Sequence, residues 1–333
     1  MDFSEVSRLF KADLEKVEQS IKENYQSDIP LIPGISSYMM NCGGKRLRPL
    51  LMLISSRLCG GINDERIFKH GCVVEYIHAA TLLHDDVVDD TTVRRGHETV
   101  NSKWGSDASI LVGDFLITRA IMVLAEDCDS KIIRVVAEAT KSLVEGGILE
   151  FTRARDISVT EEHCLDVIHR KTASIISVSC QIGALLLNAD EELEKTLVSF
   201  GNDFGMAFQL VDDAMDYDGD EETLGKPPGT DFKEGQITLP IHHLYQNGDE
   251  QLKKKIKEYI QNAHLAQNDF DDVLEEMHQH KSIDYTLDLA RMYMERAKKT
   301  LRSATFQSPE YVDALIAVTD HILDRHLAIK PAS

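Results

Sequence analysis

Apolar residues recur at three- and four-residue spacing along most of the chain. That spacing predicts helices near 4–25, 34–59, 66–90, 107–126, 130–155, 161–187, 191–217, 237–246, 249–264, 268–280 and 283–303. Alternating strand-like runs are few and there are only 8 prolines, so the pattern points to an all-α fold. No segment reads as a linker and no heptad array is present, which predicts a single domain over 1–333. One stretch, Tyr217 to Gln236, breaks the pattern by packing Gly219, Gly225, Pro227, Pro228, Gly229 and Gly235 among acidic residues. It reads as a long mobile loop, and loops of that length inside compact domains are commonly functional lids.

Two helices carry a feature that their apolar pattern does not explain. Asp85-Asp86-Val87-Val88-Asp89 and Asp212-Asp213-Ala214-Met215-Asp216 place aspartates inside stretches that otherwise read as buried. At helical spacing Asp85 and Asp89 share a face, as do Asp212 and Asp216, and such like charges repel by a few tenths of a kcal/mol. A cation held between the carboxylates would remove that cost. All-oxygen ligands favour a hard ion such as magnesium, which completes its shell with water and substrate phosphates. A phosphorylated substrate is therefore implied, with Asp85, Asp86, Asp89, Asp212, Asp213 and Asp216 as the candidate metal residues.

The balance of 36 basic against 56 acidic residues gives a net charge of -20, which argues against a nucleic-acid partner and against attachment to anionic lipid by charge. An anionic substrate then needs a local basic cluster. Gly43-Gly44-Lys45-Arg46-Leu47-Arg48-Pro49 supplies one, with Lys45 and Arg48 a helical turn apart in a geometry suited to a diphosphate. A basic helix start on a surface would read the same way in isolation. Arg94-Arg95-Gly96 follows Asp89 closely and adds a second cluster. His78 lies seven residues before Asp85 on the same face, Gln209 three before Asp212, Lys171-Thr172 opens an apolar helix, and Lys226 lies on the loop. His84 reads as a packed or capping histidine.

The six cysteines form no CxxC pair and sit mostly in apolar helical context, which predicts reduced thiols and a cytoplasmic protein. The acidic start Met1-Asp2-Phe3-Ser4-Glu5 does not read as a signal peptide. The longest apolar run, about 173–187, is broken by Ser174, Ser177, Ser179 and Gln181 and falls short of the roughly 20 residues of a bilayer crossing, so no integral membrane segment is expected.

Taken in order, these motifs resemble those of the trans-polyprenyl diphosphate synthases. His84 to Asp89 with Arg94-Arg95-Gly96, and Gly205 to Asp216, look like that family's two aspartate-rich motifs. Gly43 to Pro49 resembles its GGKRLRP element, Arg170 to Ala173 its KTA element, and Gly225-Lys226 with Gly235 to Pro240 its GK and EGKxTLP elements. Five ordered motifs are far more specific than a single DDxxD. The resemblance implies an isoprenoid synthase helical bundle around a central cavity, usually a homodimer, using three magnesium ions. By that likeness Lys45, Arg48, His78 and Arg95 hold isopentenyl diphosphate. Arg94, Lys171, Thr172, Gln209 and Lys226 surround an allylic diphosphate, Asp85 and Asp89 bind two ions, and Asp212 binds the third.

Product length is expected to depend on the residues a turn before Asp85. Here these are Ala80 and Thr81, whereas family members making fifteen or twenty carbons resemble one another in an aromatic at the Ala80 position. With Ile77, Tyr76, Val73, Met122 and Leu143 as candidate floor residues, a product of roughly six to nine isoprene units is expected, each unit being about 5 Å against about 5.4 Å per helical turn. A short-chain farnesyl or geranylgeranyl product is the alternative. Gln236 departs from the lysine of EGKxTLP, and Gly147 and Glu150 stand where long-chain members often read Glu and Gln. A terpene cyclase would share DDxxD but usually lacks the isopentenyl site, and a silent partner subunit would tend to lose a pentad.

Overall fold

The computed structural model describes residues 1–61, 65–219, 228–261 and 267–327. These residues are overwhelmingly helical, as the spacing predicts, with a single two-stranded hairpin pairing Val93–Arg94 with His97–Glu98. They fall into two compact units. One comprises Met1–Thr140, Ile175–Gly201 and Thr300–Val318, and the other Lys141–Ser174, Asn202–Lys299 and the segment from Thr319.

In the first unit the central element is the helix Glu65–Val88. Ile67, Cys72, Val73, Val74, Tyr76, Ile77, Ala80 and Leu83 are all buried, so the helix is apolar on nearly every face and must be surrounded. It packs against the helices Lys11–Asn24, Leu47–Leu58 and Ser106–Asp127. Leu50, Leu51, Leu53 and Ile54 on Leu47–Leu58 are buried as well, each contributing about 1.5–3 kcal/mol when fully buried. The Ser106–Asp127 helix is long and apolar enough, by length and composition, to cross a membrane, although the sequence reading singled out a different run; 39% of its most apolar window is buried within the fold. Ser109 Oγ on this helix donates to the Leu83 carbonyl at 2.8 Å. Ile110, Leu111, Ile121 and Met122, at helical spacing, are exposed.

In the second unit the helix Glu161–Ile168 runs into a single turn of π-helix, His169–Ala173, and packs against Leu239–Asn247. The part of the long Glu191–Asp218 helix that carries the second pentad lies here. The helices Glu250–Gln261 and Gln267–Gln279 also pack against Leu239–Asn247.

Several expectations change. The predicted helix 4–25 is two helices, Phe3–Leu9 and Lys11–Asn24, which meet at Phe10. The predicted helix 34–59 is two helices, Leu31–Asn41 and Leu47–Leu58, because Gly43 (φ 86) and Gly44 (φ 144) adopt backbone conformations that L residues rarely reach. The predicted loop 217–236 is helical at Tyr217–Asp218 and again at Thr230–Glu234; residues 220–227 lie outside the described residues. A final helix, Val312–Leu327, has no counterpart in the sequence reading, although Ser308-Pro309 before Ala314, Leu315, Ala317 and Val318 is a start signal of the ordinary kind.

Candidate active site

Three segments of the first unit meet around the first pentad. The Glu65–Val88 helix carries His78 and Asp85 to Val88, and its hydrogen bonding continues one residue further, Asp89 N–H donating to the Asp85 carbonyl at 2.8 Å. Asp85 and Asp89 are half-buried, whereas Asp86 is buried and accepts from Arg94 Nε at 2.7 Å. Burial pushes the Asp86 carboxyl above its ordinary value, and the Arg94 guanidinium acts the other way. The Asp86 carbonyl also accepts from Thr91 N–H and Asn101 Nδ2. Asp86 is therefore committed to the chain that follows it. It fixes the hairpin, whose tip places Arg95 in the left-handed region (φ 52).

Arg95 Nη1 donates to the Gly43 carbonyl at 2.5 Å, bringing hairpin and glycine loop together. A Cβ on Gly44 would lie 3.2 Å from the same Arg95 nitrogen, so this close approach suits glycine. Lys45 is exposed, with Nζ 5.2 Å from the Phe3 ring centroid. Arg48 has a buried Nε with no hydrogen-bond partner, and burial lowers its guanidinium to about 10, leaving it a cation at neutral pH. Burial, then the charges of Arg48, Arg95 and Arg94, hold His78 well below its ordinary value, so the neutral ring carries a single N–H. Lys45, Arg48, His78, Arg94 and Arg95 are thus carried by one unit together with Asp85, Asp86 and Asp89.

The second unit builds its own cluster. The π turn exposes a different face of the chain from the α-helices on either side, a feature common at functional sites. Close packing accommodates it: a Cβ on Gly205 would sit 2.5 Å from Ala173 Cα, and one on Gly146 would sit 2.9 Å from the Lys171 nitrogen. Arg170 pairs with Asp166 and Glu145, while Lys171 Nζ pairs with Glu150 at 2.5 Å. Thr172 Oγ1 donates to Gln209 Oε1 at 2.8 Å, and Gln209 Nε2 donates to Asp213 Oδ1 at 2.8 Å. Burial first, and then the neighbouring Asp231, push the Asp213 carboxyl well above the usual carboxylate range, which favours its protonated form. Asp216 is buried; its Oδ2 accepts from Asp231 N–H at 3.1 Å and its carbonyl accepts from Gly229 N–H at 2.7 Å. Asp212 is half-buried.

Lys171, Thr172, Gln209, Asp212, Asp213 and Asp216 are therefore brought together, while Lys226 lies outside the described residues. Gln236 donates to Glu234 Oε2, in keeping with the missing lysine at that position. Sequence reasoning missed Glu150 as the partner of Lys171, Asp231 beside Asp213 and Asp216, and Glu18 and Glu75, which pair with Arg46. Asp231 carried a usable signal, an acid fifteen residues beyond Asp216 in a glycine-flanked turn; the others are long-range pairings. Among the candidate floor residues Tyr76 is turned to other work, donating to the Ile21 carbonyl at 2.6 Å, and Met122 is exposed.

Among the described residues no three His, Cys, Asp or Glu side chains are arranged to hold a metal on their own. Magnesium takes one or two protein carboxylates and fills its shell with water and phosphate. Within the pentads, Asp86, Asp213 and Asp216 are buried, whereas Asp85, Asp89 and Asp212 are half-buried.

The sequence profile of the polyprenyl synthetase family matches residues 29–277. The octaprenyl diphosphate synthase of Haemophilus influenzae is 37% identical over 98% of this chain and 98% of its own, and that of Escherichia coli is 35% identical over 91% and 93%. A polyprenyl synthase from Caulobacter crescentus CB15, crystallised in complex with calcium and isoprenyl diphosphate, superposes with a TM-score of 0.92 at 35% identity, covering 97% of each chain. The chain belongs to the polyprenyl synthetase family and has the isoprenoid synthase helical fold.

Proposed function

We propose that this protein is a prenyltransferase that condenses an allylic diphosphate with successive isopentenyl diphosphate units to give a long-chain all-trans polyprenyl diphosphate. One observation carries the reaction class: Arg94 joins the first pentad, through Asp86, to a basic cluster of Lys45, Arg48, His78 and Arg95 in the same unit. A cyclase would need the acids but not a second diphosphate site. Similarity to octaprenyl diphosphate synthases over nearly the whole chain supports the long product, as does the small, fully buried Ala80.

In this reading the whole chain works as one synthase domain. Asp85, Asp89 and Asp212 hold magnesium, three ions in all, which when bound supplies positive charge to the departing diphosphate. Arg94, Lys171, Thr172 and Gln209, with Lys226, hold the allylic diphosphate. Arginine grips phosphate oxygens with two prongs, and Lys171 and the Thr172 hydroxyl add donors at fixed positions on the π turn. Lys45, Arg48, His78 and Arg95 orient isopentenyl diphosphate so that its double bond attacks. The proton released afterwards goes to the freed diphosphate, so no side chain needs to be a strong base. Apolar residues along the Glu65–Val88 helix keep water from the allylic cation.

Two settings belong to the same proposal. The chain works as a homodimer, supported by the exposed apolar face of Ile110, Leu111, Ile121 and Met122. It resides in the cytoplasm, in keeping with six free cysteines. The test is chromatography of products from purified protein with farnesyl diphosphate, isopentenyl diphosphate and magnesium. We expect polyprenyl diphosphates of about six to nine units, from a helix rise of about 5.4 Å per turn. Products stopping at fifteen or twenty carbons would select the short-chain alternative. Cyclic hydrocarbon formed from the allylic substrate alone would replace the reaction class.

A further inference from the structure

We infer that Arg46 is a positioning residue for isopentenyl diphosphate: it locks the Gly43–Arg46 loop onto three helices and occupies Glu75 so that Arg48 stays available to the ligand. The inference rests on the isopentenyl diphosphate site proposed above. Arg46 heads the Leu47–Leu58 helix in the left-handed region (φ 46), a conformation costly for a side chain of this size. Its guanidinium offsets that cost with a three-way grip. Nε donates to Glu18 Oε1 at 2.5 Å, Nη1 to Glu75 Oε2 at 2.9 Å and Nη2 to the Met40 carbonyl at 2.8 Å. These acceptors belong to Lys11–Asn24, Glu65–Val88 and Leu31–Asn41, so one side chain ties the loop to three elements.

The neighbours give that grip its purpose. Glu75 is almost fully buried and its carboxylate also favours the charges on Arg48 and Arg95. Among these arginines, Arg46 takes the hydrogen bond to Glu75, while the buried Nε of Arg48 has no partner. Without Arg46, the Arg48 guanidinium has a buried carboxylate to turn to, and the loop carrying Lys45 loses its anchor. Arg46 therefore acts through Arg48 and Lys45 and does not itself meet the ligand.

Calorimetric titration of isopentenyl diphosphate without any allylic substrate tests this, beside steady-state kinetics. Arg46→Gln should weaken isopentenyl diphosphate binding, and raise its KM, by about tenfold or more, because small displacements of positioned groups are costly. At saturation kcat, and the KM for farnesyl diphosphate, should stay within about twofold, a split expected when binding shared equally by the ground and transition states is removed. Arg46→Lys should not rescue, since one ammonium cannot span three acceptors. Glu18→Gln, which leaves the buried Arg46 and Glu75 pair intact, should weaken binding by about two- to fourfold, as for a partly exposed ion pair. Unchanged isopentenyl diphosphate binding in folded Arg46→Gln overturns the inference. If that variant does not fold, unchanged binding in Glu18→Gln overturns it. Wild-type protein that binds no isopentenyl diphosphate would instead remove the proposed function.

Discussion

The two aspartate pentads have nearly the same sequence pattern and opposite surroundings. In the first, the middle aspartate is buried against a cation, Arg94, which carries the hairpin and through it Arg95. In the second, the middle aspartate accepts from an amide, Gln209, and its other neighbours are the acids Asp231, Asp212 and Glu150. One pentad lies among arginines and the other among carboxylates. Each is preceded five residues earlier by a fully buried alanine, Ala80 and Ala207, but Thr81 follows the first and Phe208 the second, with Phe208 stacked on Phe204 at 6.5 Å. Repetition of a motif thus does not mean repetition of a role. What the pentads share is the half-buried leading aspartate, Asp85 or Asp212, and that residue is the one assigned to metal in both.

The largest effect is expected where the pentads are alike. Asp85→Ala or Asp212→Ala should leave helicity intact by circular dichroism and lower turnover by about 10³-fold or more, since leaving-group stabilisation commonly carries several kcal/mol. Normal turnover in either variant would break the shared role. A smaller effect is expected where they differ. Asp86→Asn removes the charge that holds Arg94, and activity should fall by about 10–100-fold, the usual cost of losing a supporting partner. Ala80→Phe should change the product more than the rate. An aromatic at a fully buried position overpacks its surroundings by about 1–3 kcal/mol and should shorten the chains seen by chromatography, whereas unchanged chain length would detach Ala80 from product control. The smallest effect belongs to Asp213→Asn. An amide keeps the acceptor used by Gln209 and mimics a protonated acid, so kcat/KM should stay within about threefold. A loss as large as that of Asp86→Asn would mean that Asp213 works ionised.

Much of this was legible in the chain. Helical spacing alone marks the long helices to within a few residues, because most of them bury a continuous apolar stripe. The motifs name Lys45 and Arg48 as a basic cluster behind two glycines, and His78, Asp85, Lys171 and Asp212 as polar residues in or beside apolar helices. The break at Gly43-Gly44 was missed since apolar periodicity resumes on both sides of it, and only the positive φ angles disclose the turn. The partners of these residues were not legible at all. Glu18 and Glu75 come to Arg46, and Glu150 to Lys171, across 28, 29 and 21 positions of sequence. No local pattern distinguishes such an acid from one on a solvated helix face. The division of the aspartates into buried and half-buried sets emerges only with the fold.

The central claim is that Asp85 and Asp212 are each required for magnesium-dependent binding of the allylic diphosphate. Calorimetric binding of farnesyl thiolodiphosphate, in which sulfur replaces the bridging oxygen and slows ionisation, tests it most directly. Tight binding should require magnesium and should be lost in Asp85→Ala and in Asp212→Ala alike. Binding that ignores magnesium, or survives either substitution undiminished, would contradict it.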